Sequence, residues 1–212
     1  PKQRATLAAD SFVHVTMEVD AVSSDRRYPQ LLVSDAEWPV QENLPDSHTV
    51  VIQTRGGLGG PTFGEIQFCD EYDWDVNHQC PSYDLYRLGE EEERFLSPQA
   101  EVNGLTGVDR TIVFDAYVSS SRVYLFLDGA PHGCADLPEG RLPAGPATVT
   151  FGDVLYHSGV DLADWYPFHV ERMHTVTSRH FSNLGFSSGV ATPTWDEDRF
   201  PCAPADSLPP QE

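Results

Sequence analysis

The feature that most constrains this chain is the length of its apolar runs. They are short, many alternate with polar residues, and turn-forming residues separate them. Phe12 to Val19 opens on two apolar residues and then alternates strictly between polar and apolar positions. Gln30 to Ser34 and Thr49 to Thr54 are shorter apolar runs, and Phe63 to Phe68 follows a glycine-rich turn at Gly56 to Gly60. Thr111 to Val118 and Arg122 to Leu127 flank Ser119-Ser120-Ser121, which reads as a hairpin loop. Ala147 to Tyr156 and Phe168 to Val176 complete the set. A period of two places alternate side chains on opposite faces, so runs of this kind rich in β-branched and aromatic residues predict strands. No segment sustains a 3.6-residue period, and 16 Gly with 17 Pro disfavour long helices. At least eight strands without helices imply an all-β fold of two packed antiparallel sheets.

Charge narrows the function classes. Against 33 Asp and Glu the chain carries 13 Lys and Arg, a net charge of −20. A nucleic-acid partner would require a basic face to neutralise phosphates, and an anionic membrane surface would be repelled. No apolar run is long enough to predict a membrane-spanning helix. The 212 residues suit one β-sandwich, expected over residues 1–192, with residues 193–212 as a Pro- and Asp-rich tail or linker. No signal peptide is read at Pro1, which leaves a mature form and a fragment both open.

The four cysteines, Cys69, Cys80, Cys134 and Cys202, form no CxxC pair, which argues against a zinc ribbon. Spread through an acidic, turn-rich chain, they predict an oxidising compartment, and so a secreted, extracellular or periplasmic location. Three connectivities exist. Cys69–Cys80 would close a short loop and Cys134–Cys202 would tie down the Pro-rich end, and these are the pairings expected; four buried thiols are the alternative.

Arg110 to Tyr117, then Ser121 to Gly129, then Leu142 to Gly152 form a succession that resembles the concanavalin A-like lectin/glucanase superfamily, including its laminin-G-like and glucanase-like members. The resemblance spans roughly residues 11 to 182 and implies a two-sheet antiparallel jelly roll whose concave face or rim binds glycans. Asp128-Gly129 independently signals a tight turn, because glycine accepts positive φ without a steric penalty. Phe63 to Asp70 matches the inner strand that carries catalytic carboxylates in the glucanase branch. The glucanase pattern is E-x-D-x-E, whereas this chain reads Glu65-Ile66-Gln67-Phe68-Cys69-Asp70. Gln67 cannot ionise, and only a bulge at Cys69 would return Asp70 to the side of Glu65.

Asp70 to His78 packs four carboxylates, an Asn and a His into nine residues. Calcium takes six to eight hard oxygens from such a loop, so Asp70, Asp73, Asp75 and Asn77 are the candidate metal ligands. The segment also resembles the metal loop of legume-type lectins, but with Gln67 for an Asp, Asn77 one residue early and Cys80 where a His would stand. A solvated acidic loop anchored by Trp74 is the competing reading. No organic cofactor is expected. Glu90 to Glu93 reads as a solvated run.

The function expected is a secreted carbohydrate-binding protein. Its glycan contacts would come from Trp38, Gln53, Arg55, Glu65, Gln67 and Tyr156, since sugars take planar hydrogen-bonding groups together with an aromatic face. The alternative is a glycoside hydrolase or polysaccharide lyase of the same fold, using Glu65 with Asp70 or His157. A third reading, an adhesive or structural module of a larger surface protein, follows from the Pro-rich end.

Overall fold

The structure, a computed structural model, describes residues 2–20, 30–35, 48–55, 63–68, 82–84, 86–87, 111–152 and 181–205. They form twelve strands: β1 (Lys2–Leu7), β2 (Phe12–Asp20), β3 (Gln30–Ser34), β4 (Thr49–Arg55), β5 (Phe63–Phe68), β6 (Ser82–Asp84), β7 (Tyr86–Arg87), β8 (Thr111–Val118), β9 (Arg122–Leu127), β10 (Ala130–Asp136), β11 (Gly145–Gly152) and β12 (Phe181–Val190). No α-helix occurs among the described residues. The first sheet runs β1-β11-β3-β4-β5-β6 and the second β12-β2-β8-β9-β10-β7. Every pairing within them is antiparallel. The fold is therefore an all-β, two-sheet jelly-roll sandwich.

The core lies between the sheets. Leu31, Val33, Val50, Ile52, Ile66 and Val149 come from the first sheet. Val13, Val15, Met17, Phe114, Ala116, Val118, Val123, Leu125 and Leu127 come from the second. Each set falls on every second position of its strand, as a pleated strand with one face toward the core requires. Burying an aliphatic side chain of this size contributes about 1.5–3 kcal/mol, so this interlayer is the main favourable term.

Turns fix the registers. Leu127 pairs with Ala130 across Asp128-Gly129. Both turn residues have positive φ, 51° and 74°. That is the geometry of a two-residue hairpin turn whose twist matches its strands. The Asp128 carboxylate also accepts from the Val113 N–H at 2.9 Å, and the Asp128 N–H donates to the Val113 carbonyl at 2.8 Å, so the turn is held to β8. At the serine loop, the Ser119 N–H donates to the Arg122 carbonyl and the Arg122 N–H to Ser119 Oγ, both at 2.9 Å.

Three long strands lack a strong sequence signal. β10 reads APHGCAD, with a proline and a glycine that weaken a strand, and it carries a register shift between Pro131 and Gly133. β12 is rich in Ser and Gly and, among the described strands, pairs with β2 alone, with two register shifts. β1 alternates weakly and, among the described strands, pairs with β11 alone. The strand expected from Ala147 to Tyr156 begins at Gly145 and is described to Gly152; the one expected from Phe168 to Val176 lies outside the described residues.

The C-terminal stretch lies against the second sheet. Cys134 and Cys202 form a disulfide spanning 68 residues, one of the expected pairings. Ala203 bridges to Ala135, its N–H donating to the Cys134 carbonyl at 3.0 Å and its carbonyl accepting from the Asp136 N–H at 2.9 Å. Trp195 packs on Tyr124 and Phe126 and donates Nε1–H to the Phe200 carbonyl at 2.7 Å. Arg122 joins Asp136 on β10 to Glu197 on this stretch. Burial works against the Arg122 charge, but the bonds to Asp136 and Tyr124 outweigh it and push its pKa above the ordinary guanidinium range. Cys69 and Cys80 lie outside the described residues.

Candidate functional site

Two places outside the interlayer core gather polar groups. The first is the face of the first sheet turned away from the core. Because Leu31, Ile52 and Ile66 belong to the core, the alternate positions of β3, β4 and β5 share the opposite face. One rung of that face runs Gly152, Gln30, Gln53, Glu65, Asp84 across β11, β3, β4, β5 and β6, each directly paired with the next. The rung below runs Thr150, Leu32, Val51, Gln67, Ser82. Above, Arg55 pairs with Phe63.

The register thus brings Gln53, Arg55, Glu65 and Gln67, four of the residues expected to contact glycan, to one face of two adjacent strands. It adds Gln30, Asp84 and Ser82, which the sequence reading did not single out. Their only available signal was a polar position inside or beside a short run; the pairings that bring them here, such as Gln30 with Gln53 and Asp84 with Glu65, are not written in the sequence. Trp38, Tyr156 and His157 lie outside the described residues, as do Asp70, Asp73, Asp75 and Asn77. Among the described residues no group of three or more His, Cys, Asp or Glu is arranged to hold a metal ion.

This face is not uniformly open. Leu32, Ser34, Thr49 and Val51 are fully buried although they lie on the side away from the interlayer core, and Thr148 and Thr150 are nearly so. Ser34 Oγ and Thr49 Oγ1 satisfy each other at 2.6 Å. Thr150 Oγ1 is buried without a hydrogen-bond partner. Beyond this end, Asp35 accepts from the backbone N–H of His48 at 2.9 Å and contacts its Nδ1 at 2.7 Å, clamping the β3–β4 connection.

The second place is the outer face of the second sheet, where β2 and β8 meet. His14 Nε2 lies 2.8 Å from Asp115 Oδ1, and Thr16 Oγ1 donates to the same oxygen while lying 3.1 Å from His14 Nε2. Tyr117 stacks on the His14 ring at 4.1 Å with the planes 7° apart. Burial pushes the Asp115 carboxyl up, but the bonds from His14 and Thr16 and the histidine charge outweigh it, leaving its pKa below the ordinary value. Tyr117 is raised by burial and by the neighbouring Asp115 charge. The alternation of Phe12–Val19 and Thr111–Val118 was legible as strands; that His14 would meet Asp115, 101 residues away, was not.

No protein-family model matches the chain, and no curated protein matches it by sequence. Solved structures show a distant likeness to it. A tetrameric galectin from the ball sponge Cinachyrella sp. aligns at 14% identity and a TM-score of 0.37, over 72% of this chain and 89% of the galectin. The kappa-carrageenase of Pseudoalteromonas carrageenovora, solved with a kappa-carrageenan oligotetrasaccharide, aligns at 10% identity and 0.38, over 76% of this chain and 56% of the enzyme. Alginate lyase AlyC3, solved with dimannuronate, aligns at 10% identity and 0.39, over 90% and 71%. At these TM-scores the likeness carries no argument, and the description of the sandwich rests on strand order and register.

Proposed function

We propose that the chain binds a carbohydrate on the polar face of β3 to β6. The observation that carries this reading is the rung Gln30, Gln53, Glu65, Asp84. Adjacent strands are about 4.8 Å apart, so the rung sets two amides and two carboxylates at regular intervals over roughly 14 Å. Amides supply donors and acceptors, carboxylates supply acceptors, and such a row complements the hydroxyl groups of a sugar chain. The Cys134–Cys202 disulfide supports placing the protein in an oxidising, extracellular-type compartment.

The test is a glycan array followed by titration calorimetry on the native chain, Glu65→Gln and Gln53→Ala. Loss of a hydrogen bond costs about 1.5–3 kcal/mol when one group is charged and about 0.5–1.5 kcal/mol when both are neutral, so Glu65→Gln is expected to bind about ten- to a hundredfold more weakly and Gln53→Ala about two- to tenfold. Unchanged affinity in both removes this face from the site.

One observation favours a second reading. Glu65 and Asp84 are directly paired across β5 and β6. Cross-strand Cα atoms lie about 4.5–5.5 Å apart, compatible with the carboxyl spacing of about 5–5.5 Å in retaining glycosidases. The hydrolase pair would then be Glu65 with Asp84 in place of Asp70. Release of reducing ends by the native chain, abolished in both Glu65→Gln and Asp84→Asn, would replace binding by hydrolysis. Release that survives both points to His157 or Tyr156 and proton abstraction.

A further inference from the structure

We infer that the glycan taken by this face carries no carboxylate or sulfate groups and is a neutral or amino-bearing sugar polymer. The inference rests on the carbohydrate reading above and sharpens it to a substrate class. Both acidic positions of the rung are at its β5–β6 end, where Glu65 pairs with Asp84. Among the described positions of this face, the cationic one nearest them is Arg55, one rung away on β4. Lys2 and Arg4 belong to this face by register, opposite Thr150 and Thr148, but they stand on the far edge strand, four strands from β5. The intervening Thr148, Ser34 and Thr49 are buried. The chain as a whole adds a field of net charge −20. A ligand with one acidic group per sugar would place its charges in that field, beside two paired acidic positions with one arginine position a rung away. Like charges raise the free energy of the complex and slow encounter, and a field of several kT extends over the surface at low salt. Hydroxyl and amide groups meet no such penalty, and an ammonium group gains from it.

The experiment compares four oligosaccharides of equal length by calorimetry: a neutral β-glucan, a polyglucosamine, a polyuronate and a sulfated galactan. Each is titrated into the native chain and into Asp84→Asn, at low and at high salt. The screening length falls from about 30 Å at 0.01 M to about 3 Å at 1 M, so the electrostatic part of selectivity is removable. The neutral or the amino-bearing ligand is expected to bind at least about tenfold more tightly than either acidic one at low salt. The margin should shrink at high salt and in Asp84→Asn. Polyglucosamine affinity that falls with salt marks the amino group as a contact; glucan affinity independent of salt marks the hydroxyl groups. A polyuronate or sulfated galactan that binds as tightly as the neutral ligand overturns the inference and leaves the carbohydrate reading standing. Absence of binding to all four overturns both.

Discussion

His14 and Asp115, 101 residues apart, face each other across β2 and β8 with Nε2 at 2.8 Å from Oδ1, and Thr16 donates to the same oxygen. The contact joins two interior strands of the second sheet on the side away from the core, with His14 and Asp115 side chains 24% and 19% exposed. That partial burial strengthens the bonds without removing the carboxylate from water.

This arrangement gives stability a defined pH dependence. The Asp115 pKa is below its ordinary value of 3.8 in the folded chain. A carboxyl depressed on folding stabilises above the unfolded pKa, and the contribution is lost as pH falls through the folded value. The native protein should therefore lose stability below about pH 4 more steeply than Asp115→Asn. At pH 7 the variant should be less stable by about 1–2 kcal/mol. Urea midpoints at pH 7 and pH 3 measure both; parallel curves would show that the pair contributes nothing.

The Cys134–Cys202 bridge closes a loop of 68 residues. Constraint of the unfolded chain by a loop of that size contributes about 4 kcal/mol in the chain-entropy account. Replacing both cysteines by alanine should lower stability by up to that amount and loosen Trp195 from Tyr124 and Phe126, seen as a red shift of tryptophan emission in the native baseline. Peptide mapping without reduction should recover Cys134 joined to Cys202.

Thr150→Val should hold or raise stability. Thr150 Oγ1 is buried and unpartnered, and such a hydroxyl costs roughly 1–3 kcal/mol relative to a satisfied or apolar group. Valine keeps the β-branched shape that suits a strand. A rise of about 1 kcal/mol is expected by thermal denaturation; a loss of more than that would reveal a hydrogen bond made by this hydroxyl.

Calcium is expected to raise the melting temperature through Asp70, Asp73, Asp75 and Asn77. Selective binding to the folded state at a hundredfold excess over the dissociation constant contributes about 2.7 kcal/mol. Chelator should reverse the shift and Asp75→Ala should remove it. A native protein indifferent to calcium leaves that loop as a solvated acidic segment.

The sequence alone determined the strand character of β2, β3, β4, β5, β8 and β9, because alternation and β-branched content are local properties that sum over a few residues. It also determined the Asp128-Gly129 turn, whose positive φ values need those residue types. β10 and β12 were decided by tertiary structure. Pro131, Gly133 and the serines of β12 have no strand preference, and these segments are extended because β9 and β2 offer them unpaired backbone groups. The candidate site divides the same way. Alternation along a single strand sets Gln53 with Arg55 and Glu65 with Gln67, two positions apart, on one face. That Glu65 stands opposite both Gln53 and Asp84, and His14 beside Asp115, depends on sheet register, a property of pairs of strands. A slip of one residue would turn each side chain to the other face, and what forbids the slip is burial of Leu31, Ile52 and Ile66 against the second sheet, which exists only once both layers are packed.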